Sequence, residues 1–510
     1  MDPASRIFVN TAAQYVRTII NVVLSLYSSR LVLHILGVED FGIYALVSGV
    51  VSMLSFITNS LVTSTQRFLS VNQGKGDIEN LKNVFANSLG IHILLGFFIA
   101  ILLEILTPFI FDGFLNIPEG RIGVARKLYQ CVVIMVYISF IAAPYRSLLV
   151  SRENIVYVSF VDVLDGILKV ALVTILPYLA CDKLFAYGCV MLLVQVLNLM
   201  LCACYSHIKY EEAIIPHIKM LSLSCIKELM SFTSWMIYST VCITAKSQGL
   251  AIVLNRALGA VINAAYGIGG QVAGMMAFVG SSLNNAIAPQ LMSAEGRNDR
   301  DHMFALAETE SRLSFLLLSM VGIPTMFEMS FLLRLWLGED VPDYTMLFTC
   351  MFILAQILDM LSSGLALANK AIGNVAYYTL MTYTPKILVL PLGWLLIKFA
   401  QPLWSVCLVY VLVEFLCSLI RILLFRRDSH FNILSYFSNV IVKTQIPVII
   451  SVLACALVRI LFDGSYRFII TYIFSCLLFA ITTYFIVLTQ RERSFINNLI
   501  SRFRKSVSRT

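Results

Sequence analysis

The sequence predicts an all-α integral membrane protein of about fourteen transmembrane helices, in two parallel sets of six followed by two more. Three observations carry that prediction. The 510 residues are 59% hydrophobic and only 13% charged, about half the charged fraction of a soluble domain, and the mean hydropathy is +0.85. Predominantly apolar windows of roughly 20 residues, long enough to cross a hydrocarbon core as a helix, recur along the chain, and runs such as Ile93 to Leu103 are continuously apolar, whereas barrel strands alternate over about 10 positions. Short motifs of the first half also recur in the second at one constant offset. The first two observations exclude a soluble enzyme and a transmembrane β-barrel.

With Gly, Pro and charged residues as punctuation, the first six spans lie at about 10–36, 41–66, 84–111, 128–150, 155–180 and 184–205, within an N-terminal lobe of residues 1–205. A polar stretch, 206–228, is expected to be a cytoplasmic linker. The next six lie at about 229–255, 261–291, 304–333, 344–369, 375–397 and 402–425, giving a second lobe of residues 229–425. Residues 426–489 hold two further spans, at about 440–462 and 466–489. Residues 490–510 form a basic tail with Arg491, Arg493, Arg502, Arg504, Lys505 and Arg509. No cleavage pattern follows the first apolar segment, which is expected to remain attached.

An even number of spans puts both termini on one side of the membrane, and loop charge decides which. One set of loops holds Arg67, Lys75, Lys82, Arg146, Arg152, Lys209, Lys219, Lys227, Arg297, Arg300, Lys370, Arg421, Arg426, Arg427 and Lys443. The alternate set is poorer, with Arg121, Arg126, Lys127, Lys183, Arg256, Arg334, Lys398, Arg459 and Arg467. The richer set belongs inside, so both termini are predicted cytoplasmic. The net charge of +8, from 37 Lys and Arg against 29 Asp and Glu, is accounted for by these loops and the tail, and nucleic acid is not an expected partner. The 12 cysteines form no CxxC pair, and Cys131, Cys202, Cys350 and Cys455 sit in apolar runs where a thiol acts as a small hydrophobe.

Leu36-Gly37 recurs as Leu258-Gly259, and Gly74-Lys75-Gly76-Asp77 as Gly296-Arg297-Asn298-Asp299, both at the same offset and both after equivalent spans. A shared offset at matched places implies duplication of a six-helix unit. Because six is even, the copies are parallel repeats about an axis along the membrane normal.

Polar residues enter the spans in stripes. Asn10, Gln14, Arg17, Asn21, Ser25 and Ser28 recur at helical spacing on the first span, and Ser48, Ser52, Ser55, Asn59, Thr63 and Gln66 on the second. Lipid satisfies neither stripe, so each faces protein or a water-filled cavity. Ionisable groups inside spans cost on the order of 2.5 to 3.5 kcal/mol each on insertion and are functional candidates. The cations are Arg17, Arg30, Lys169, Lys246 and Lys386; the acids are Glu104, Asp162, Asp165, Glu328, Asp359 and Glu414. On the fifth span Asp162, Asp165 and Lys169 share a face, which allows an i, i+4 pair between Asp165 and Lys169. No Walker A or HExxH pattern occurs, and the six histidines lack zinc-ligand spacing. Gly267, Gly270 and Gly274 fit close helix packing, and Pro144 and Pro385 are expected to be static kinks before hinges.

The stretch Leu36-Gly37-Val38-Glu39-Asp40-Phe41-Gly42-Ile43-Tyr44 follows Arg17 and Tyr27-Ser28-Ser29-Arg30 and precedes Thr65-Gln66-Arg67-Phe68. It resembles Wzx-type polysaccharide flippases of the MATE-like multidrug/oligosaccharidyl-lipid/polysaccharide exporter superfamily, most sharply over residues 10–90. The resemblance implies two six-helix lobes around a central cavity that opens alternately to either side of a bacterial cytoplasmic (inner) membrane. It implies outward movement of an isoprenoid-diphosphate-linked oligosaccharide for O-antigen or capsule assembly, with no enzymatic reaction and no cofactor. Membrane lipids and polysaccharide assembly proteins are the further partners implied. In related lipid II flippases a final helix pair helps to form a groove for the lipid tail, and spans thirteen and fourteen are expected to do likewise.

A diphosphate in a low-dielectric cavity needs cationic partners, and guanidinium groups bind phosphate oxygens bidentately. Arg17 and Arg30, with Lys246 from the other lobe, are therefore the expected substrate contacts, joined by Asn21, Asn59 and Gln66 from the stripes. Asp162, Asp165, Lys169, Asp359 and Lys386 are the candidates for the pathway or for Na+ or H+ coupling. A cation-coupled multidrug exporter is the first alternative, and a membrane glycosyltransferase or polysaccharide polymerase the second. Cations in the cavity argue against the first; the absence of a sizeable catalytic loop argues against the second.

Overall fold

The computed structural model describes residues 3–52, 55–111, 117–178, 180–216, 221–338, 341–426, 428, 430–464, 466–490, 492–494 and 497. Lys219, Arg427, Arg491 and the tail residues Arg502, Arg504, Lys505 and Arg509 lie outside the described residues. Within them the chain is helical and holds no strand. Eighteen α-helices follow one another: α1 Pro3–Ser52, α2 Ser55–Lys75, α3 Ile78–Phe109, α4 Ile122–Ser151, α5 Ile155–Val173 and α6 Lys183–Lys209; then α7 Leu223–Leu258, α8 Ala260–Gly296, α9 Arg300–Phe327, α10 Met329–Leu337, α11 Thr345–Met360 and α12 Ser363–Ile372; then α13 Val375–Tyr383, α14 Val389–Lys398, α15 Leu403–Leu424, α16 Ile433–Tyr436, α17 Lys443–Leu461 and α18 Arg467–Thr482.

Among the described residues nine helical segments are long and apolar enough to cross a membrane, or eleven when the bent pairs α9–α10 and α11–α12 each count as one. The three other expected spans fall on the end of α1 together with α2, on α5 and on α8, and are outside that set, so length and composition alone support nine to eleven spans. The bends, 77° between α9 and α10 and 50° between α11 and α12, correct the expectation of two unbroken spans. Neither break falls on a proline: Glu328 caps the first, and Leu361-Ser362 interrupts the second. Pro144 lies buried within α4, which continues past it. Pro385 opens a 3-10 segment, Thr384–Leu388, between α13 and α14, as expected of a residue with no N–H to give the helical ladder. The second span is longer than expected, because α2 runs to Lys75.

Gly37 breaks α1 with φ of +80°, and Gly259, its counterpart in the second copy of the motif, has φ of +89° between α7 and α8. A left-handed φ suits glycine because no Cβ meets the following carbonyl. The repeated motif is thus a repeated backbone conformation.

The chain divides into two compact units. The first comprises Met1–Thr240, Asn285–Asp299 and Lys370–Val375. In it α4 packs against α6, α3 and α2, and α5 against α1. Its largest core gathers Leu69, Phe85, Phe140, Leu148 and Leu149, all fully buried. The second unit comprises Val241–Asn284, Arg300–Asn369 and Ala376–Thr510. There α15 packs on α11 and α14, and the α17–α18 pair on α9, around cores that include Leu250, Phe348, Val389 and Cys417. Outward, α3 exposes Phe97, Phe98, Ile101, Leu102 and Ile105. A contiguous apolar face of that kind is stable against lipid and not against water.

Candidate functional site

Each unit carries an interior cluster of charge. In the first unit the polar stripe of α1 is turned to α5. Asn10 Nδ2 donates to the carbonyl of Glu153 at 3.1 Å, and Arg17 holds Gln14 Oε1 at 3.0 Å and Asp162 Oδ2 at 2.7 Å. Arg146, from α4, donates to the same Asp162 oxygen at 2.5 Å. One turn further along α5, Lys169 pairs with Asp165 at 2.7 Å. Beside these pairs lies a cavity of about 400 Å³ lined by Asn21, Ser25, Ser28, Asp162, Asp165, Lys169, Tyr44 and Tyr187. Asn21 Oδ1 is buried with no hydrogen-bond partner, leaving an acceptor free at this wall.

In the second unit five charges form a row of alternating sign. Lys246 on α7 is bonded to Glu414 on α15. Lys386, from the 3-10 segment, reaches Glu414 Oε2 at 2.7 Å and Asp359 Oδ1 at 3.5 Å. Arg421, two turns after Glu414 on α15, reaches the same Asp359 oxygen at 2.9 Å. Asp359, on α11, is 29% exposed, while the other four side chains are 3% to 6% exposed. Lys246 also sits 4.1 Å from the ring centre of Tyr410, a cation–π contact. Unpaired, such charges would be prohibitively costly to bury; paired as a row, they satisfy one another.

Of the residues expected from sequence, Arg17, Asn21, Asp162, Asp165 and Lys169 are brought together in the first unit, and Lys246, Asp359 and Lys386 in the second. The i, i+4 pair expected of Asp165 and Lys169 is present. Arg30 is exposed on α1 and joins neither cluster, and Asn59 is exposed on α2. Gln66 is half-buried; the face of α2 that packs into the unit instead carries Ser60, Ser64, Arg67 and Phe68.

Three residues assigned to cytoplasmic loops are corrected. Arg67, Arg146 and Arg421 lie on α2, α4 and α15, and each has interior partners. Near a span end, a snorkelling cation and an ion-paired one look alike in sequence. The i, i+7 spacing of Glu414 and Arg421, two helical turns, was the available signal for a shared face. Among the described residues no group of three or more His, Cys, Asp and Glu is placed to hold a metal ion, and the twelve cysteines form no disulfide.

Solved structures share this architecture. A MATE crystal structure in complex with MaL6 superposes with a TM-score of 0.72 at 14% identity, covering 86% of this chain and 98% of that one. A multidrug resistance MATE family transporter in an outward-facing conformation gives 0.72 at 14% identity over 86% and 97%. A MOP superfamily transporter from Pyrococcus furiosus gives 0.71 at 14% identity over the same shares. The fold is therefore that of the MATE-like transporters of the MOP superfamily, a multi-pass membrane architecture. The sequence pattern described as "polysaccharide biosynthesis protein" matches residues 4–294, and the chain belongs to that family. It is also 22% identical over 354 residues to EpsK of Bacillus subtilis (strain 168), named an uncharacterized membrane protein, spanning 69% of this chain and 68% of the relative. The chain is thus a member of the polysaccharide biosynthesis protein family with a MATE-like fold.

Proposed function

We propose that the protein is a flippase that moves an isoprenoid-diphosphate-linked oligosaccharide from the cytoplasmic to the outer leaflet. The polysaccharide assembled is O-antigen or capsule, the membrane is the bacterial cytoplasmic membrane with both termini inside, and lobes 1–205 and 229–425 work by alternating access. The observation that carries this reading is the cation excess of both interior clusters: Arg17, Arg146 and Lys169 against Asp162 and Asp165, and Lys246, Lys386 and Arg421 against Asp359 and Glu414. A diphosphate is drawn to such sites by charge and by bidentate guanidinium geometry. An interior-negative potential favours outward movement of anions by about 2.3 kcal/mol per charge per 100 mV, so the cycle needs no ATP. Coupling to Na+ or H+ at Asp162 or Asp165 requires the carboxylate to release its Arg or Lys partner.

The multidrug-exporter alternative is disfavoured for cationic drugs, because like charges repel strongly where the dielectric is low. The test is reconstitution into liposomes with a fluorescent isoprenoid-diphosphate oligosaccharide, following label accessibility from the opposite leaflet. The native protein is expected to accelerate crossing, and Arg17→Ala to slow it by about 10-fold or more, the equivalent of one charged hydrogen bond. No acceleration by the native protein across several sugar-lipids would overturn the flippase reading.

A further inference from the structure

The end of α2, the start of α3 and the start of α7 enclose a polar cavity of about 590 Å³ that shares no residue with either charge cluster. Small-molecule sites run to roughly 300–1,000 Å³. Local geometry holds its walls. α2 ends at Lys75, and Gly76, at φ of +71°, turns the chain into α3. Across that turn Asn72 Oδ1 accepts from Asn80 Nδ2 at 3.0 Å, and the N–H of Ser222, just before α7, donates to Asn87 Oδ1 of α3 at 2.8 Å. A Cβ on Gly74 would collide with the carbonyl of Ser293 on α8, and one on Gly296 of α8 with that of Val71 on α2. This close crossing fixes the backbone that carries Lys75.

Donors are left over on these walls. Arg67, only 9% exposed, holds the carbonyls of Lys370, Ala371 and Ile372 through Nε and Nη2. Its Nη1, bonded to no described residue, is left to the cavity that the residue lines. Lys75 is exposed and pairs with no acid among the described residues, and the side-chain amide of Asn83 has no partner among them. The first helical bond of α7 runs from the Ile226 N–H to the Ser222 carbonyl. The N–H groups of Ser224 and Cys225, which also line the cavity, therefore lack helical partners and carry the positive end of the helix dipole. Against these stands one acid, Glu228, a turn beyond Ser224. The walls thus keep one positive charge in excess. Ile78 and Leu223 open the two helices whose first turns line the cavity, and they are 54% and 83% exposed. Apolar side chains beside a cationic pocket suit a molecule with a charged head and an apolar tail.

We propose that this cavity binds a phosphoglycerol headgroup, with the phosphate on Arg67, Lys75 and the N–H groups of α7 and a glycerol hydroxyl on Glu228, and that the headgroup belongs to an anionic membrane lipid. Charge selects it. One phosphate diester neutralises the excess, whereas a zwitterionic choline headgroup brings its own cation close to Arg67 and Lys75. The inference needs the membrane fold alone and is independent of the cargo.

The test is native mass spectrometry of the full chain with phosphatidylglycerol or phosphatidylcholine of identical acyl chains. The native protein is expected to retain phosphatidylglycerol about 10-fold more tightly or better, as one charge-assisted contact allows. K75Q/N83A is expected to lose most of that preference and K75Q alone several-fold, while Lys398→Gln, a change of an exposed lysine outside the cavity, keeps it. Melts in phosphatidylcholine that match the native protein's establish that the variants are folded. Equal retention of the two lipids by the native protein, or an undiminished preference in K75Q/N83A, overturns the site. Displacement of the lipid by equimolar glycerol 3-phosphate would uphold the phosphoglycerol chemistry and overturn its membrane source.

Discussion

Glu414 is the most consequential single charge in the second unit. It accepts from both Lys246 and Lys386 while only 4% exposed. In Glu414→Gln, one acid, Asp359, remains for three cations. Lys246 then has no carboxylate within bonding distance, keeping only the Tyr410 ring face that it already occupies. Removing one partner of a buried pair costs about 3–5 kcal/mol, since the orphaned charge stays in a low-dielectric interior. The expected loss in unfolding free energy for purified Glu414→Gln in detergent is of that order. The double variant Glu414→Gln/Lys246→Met removes the orphan together with its partner and is expected to regain most of the loss. Stability of the single variant within about 0.5 kcal/mol of the native protein, the range of ordinary surface changes, would refute the buried row. A double variant no more stable than the single one would refute the pairing.

Two further outcomes are expected. Gly74→Ala and Gly296→Ala each drive a methyl into a backbone carbonyl and should each cost about 1–3 kcal/mol. Gly123→Ala, on α4 with nothing within 4 Å, should be neutral or stabilising in the same melts, and equal behaviour of all three would refute the close crossing. Outside the spans, Asp182 caps α6 through the N–H groups of Leu184 and Phe185 and pairs with Arg121 at 2.6 Å; Arg121 also clasps Asp40. Desolvation raises the Asp182 pKa, but hydrogen bonds from Arg121 and the cap outweigh it and hold it below the ordinary carboxylate value. Its stabilisation is therefore present above about pH 4 and lost as pH falls through the depressed value. Thermal melts from pH 7 to 3 should show a smaller acid-induced loss in Asp182→Asn, which keeps the cap, than in the native protein. The difference will be modest, because the pair is partly solvated; identical pH profiles would refute the assignment.

What was legible in the sequence was local. The α1 stripe announced an interior-facing helix, because Asn10, Gln14, Arg17 and Asn21 lie within a few turns of one another; the Asp165–Lys169 pair needed only a single helical turn. Gly37 and Gly76 marked real left-handed turns because glycine advertises φ directly. What stayed hidden was non-local. Arg421 finds Asp359 from a different helix much earlier in the chain, and Arg146 finds Asp162 across the α4–α5 turn, distances over which spacing carries no information. Arg67 was further concealed, since its partners are carbonyls, which every residue possesses. The breaks at Glu328 and Ser362 were missed for a different reason: a polar residue inside an apolar run signals a buried partner as readily as a bend, and neither break stands on a proline.

The row in the second unit has an odd number of members, and parity has a consequence. Counting Lys246, Glu414, Lys386, Asp359 and Arg421 in order, each acid has two neighbours of opposite sign, while each end has one. Both ends are cations, so no internal rearrangement can neutralise the row, which keeps one positive charge in excess however its members re-pair. The excess sits with three buried cations, while the most exposed member is an acid, Asp359, whose two ion pairs both fall on Oδ1. The sign of the excess is thus fixed by the arithmetic of the row rather than by its packing.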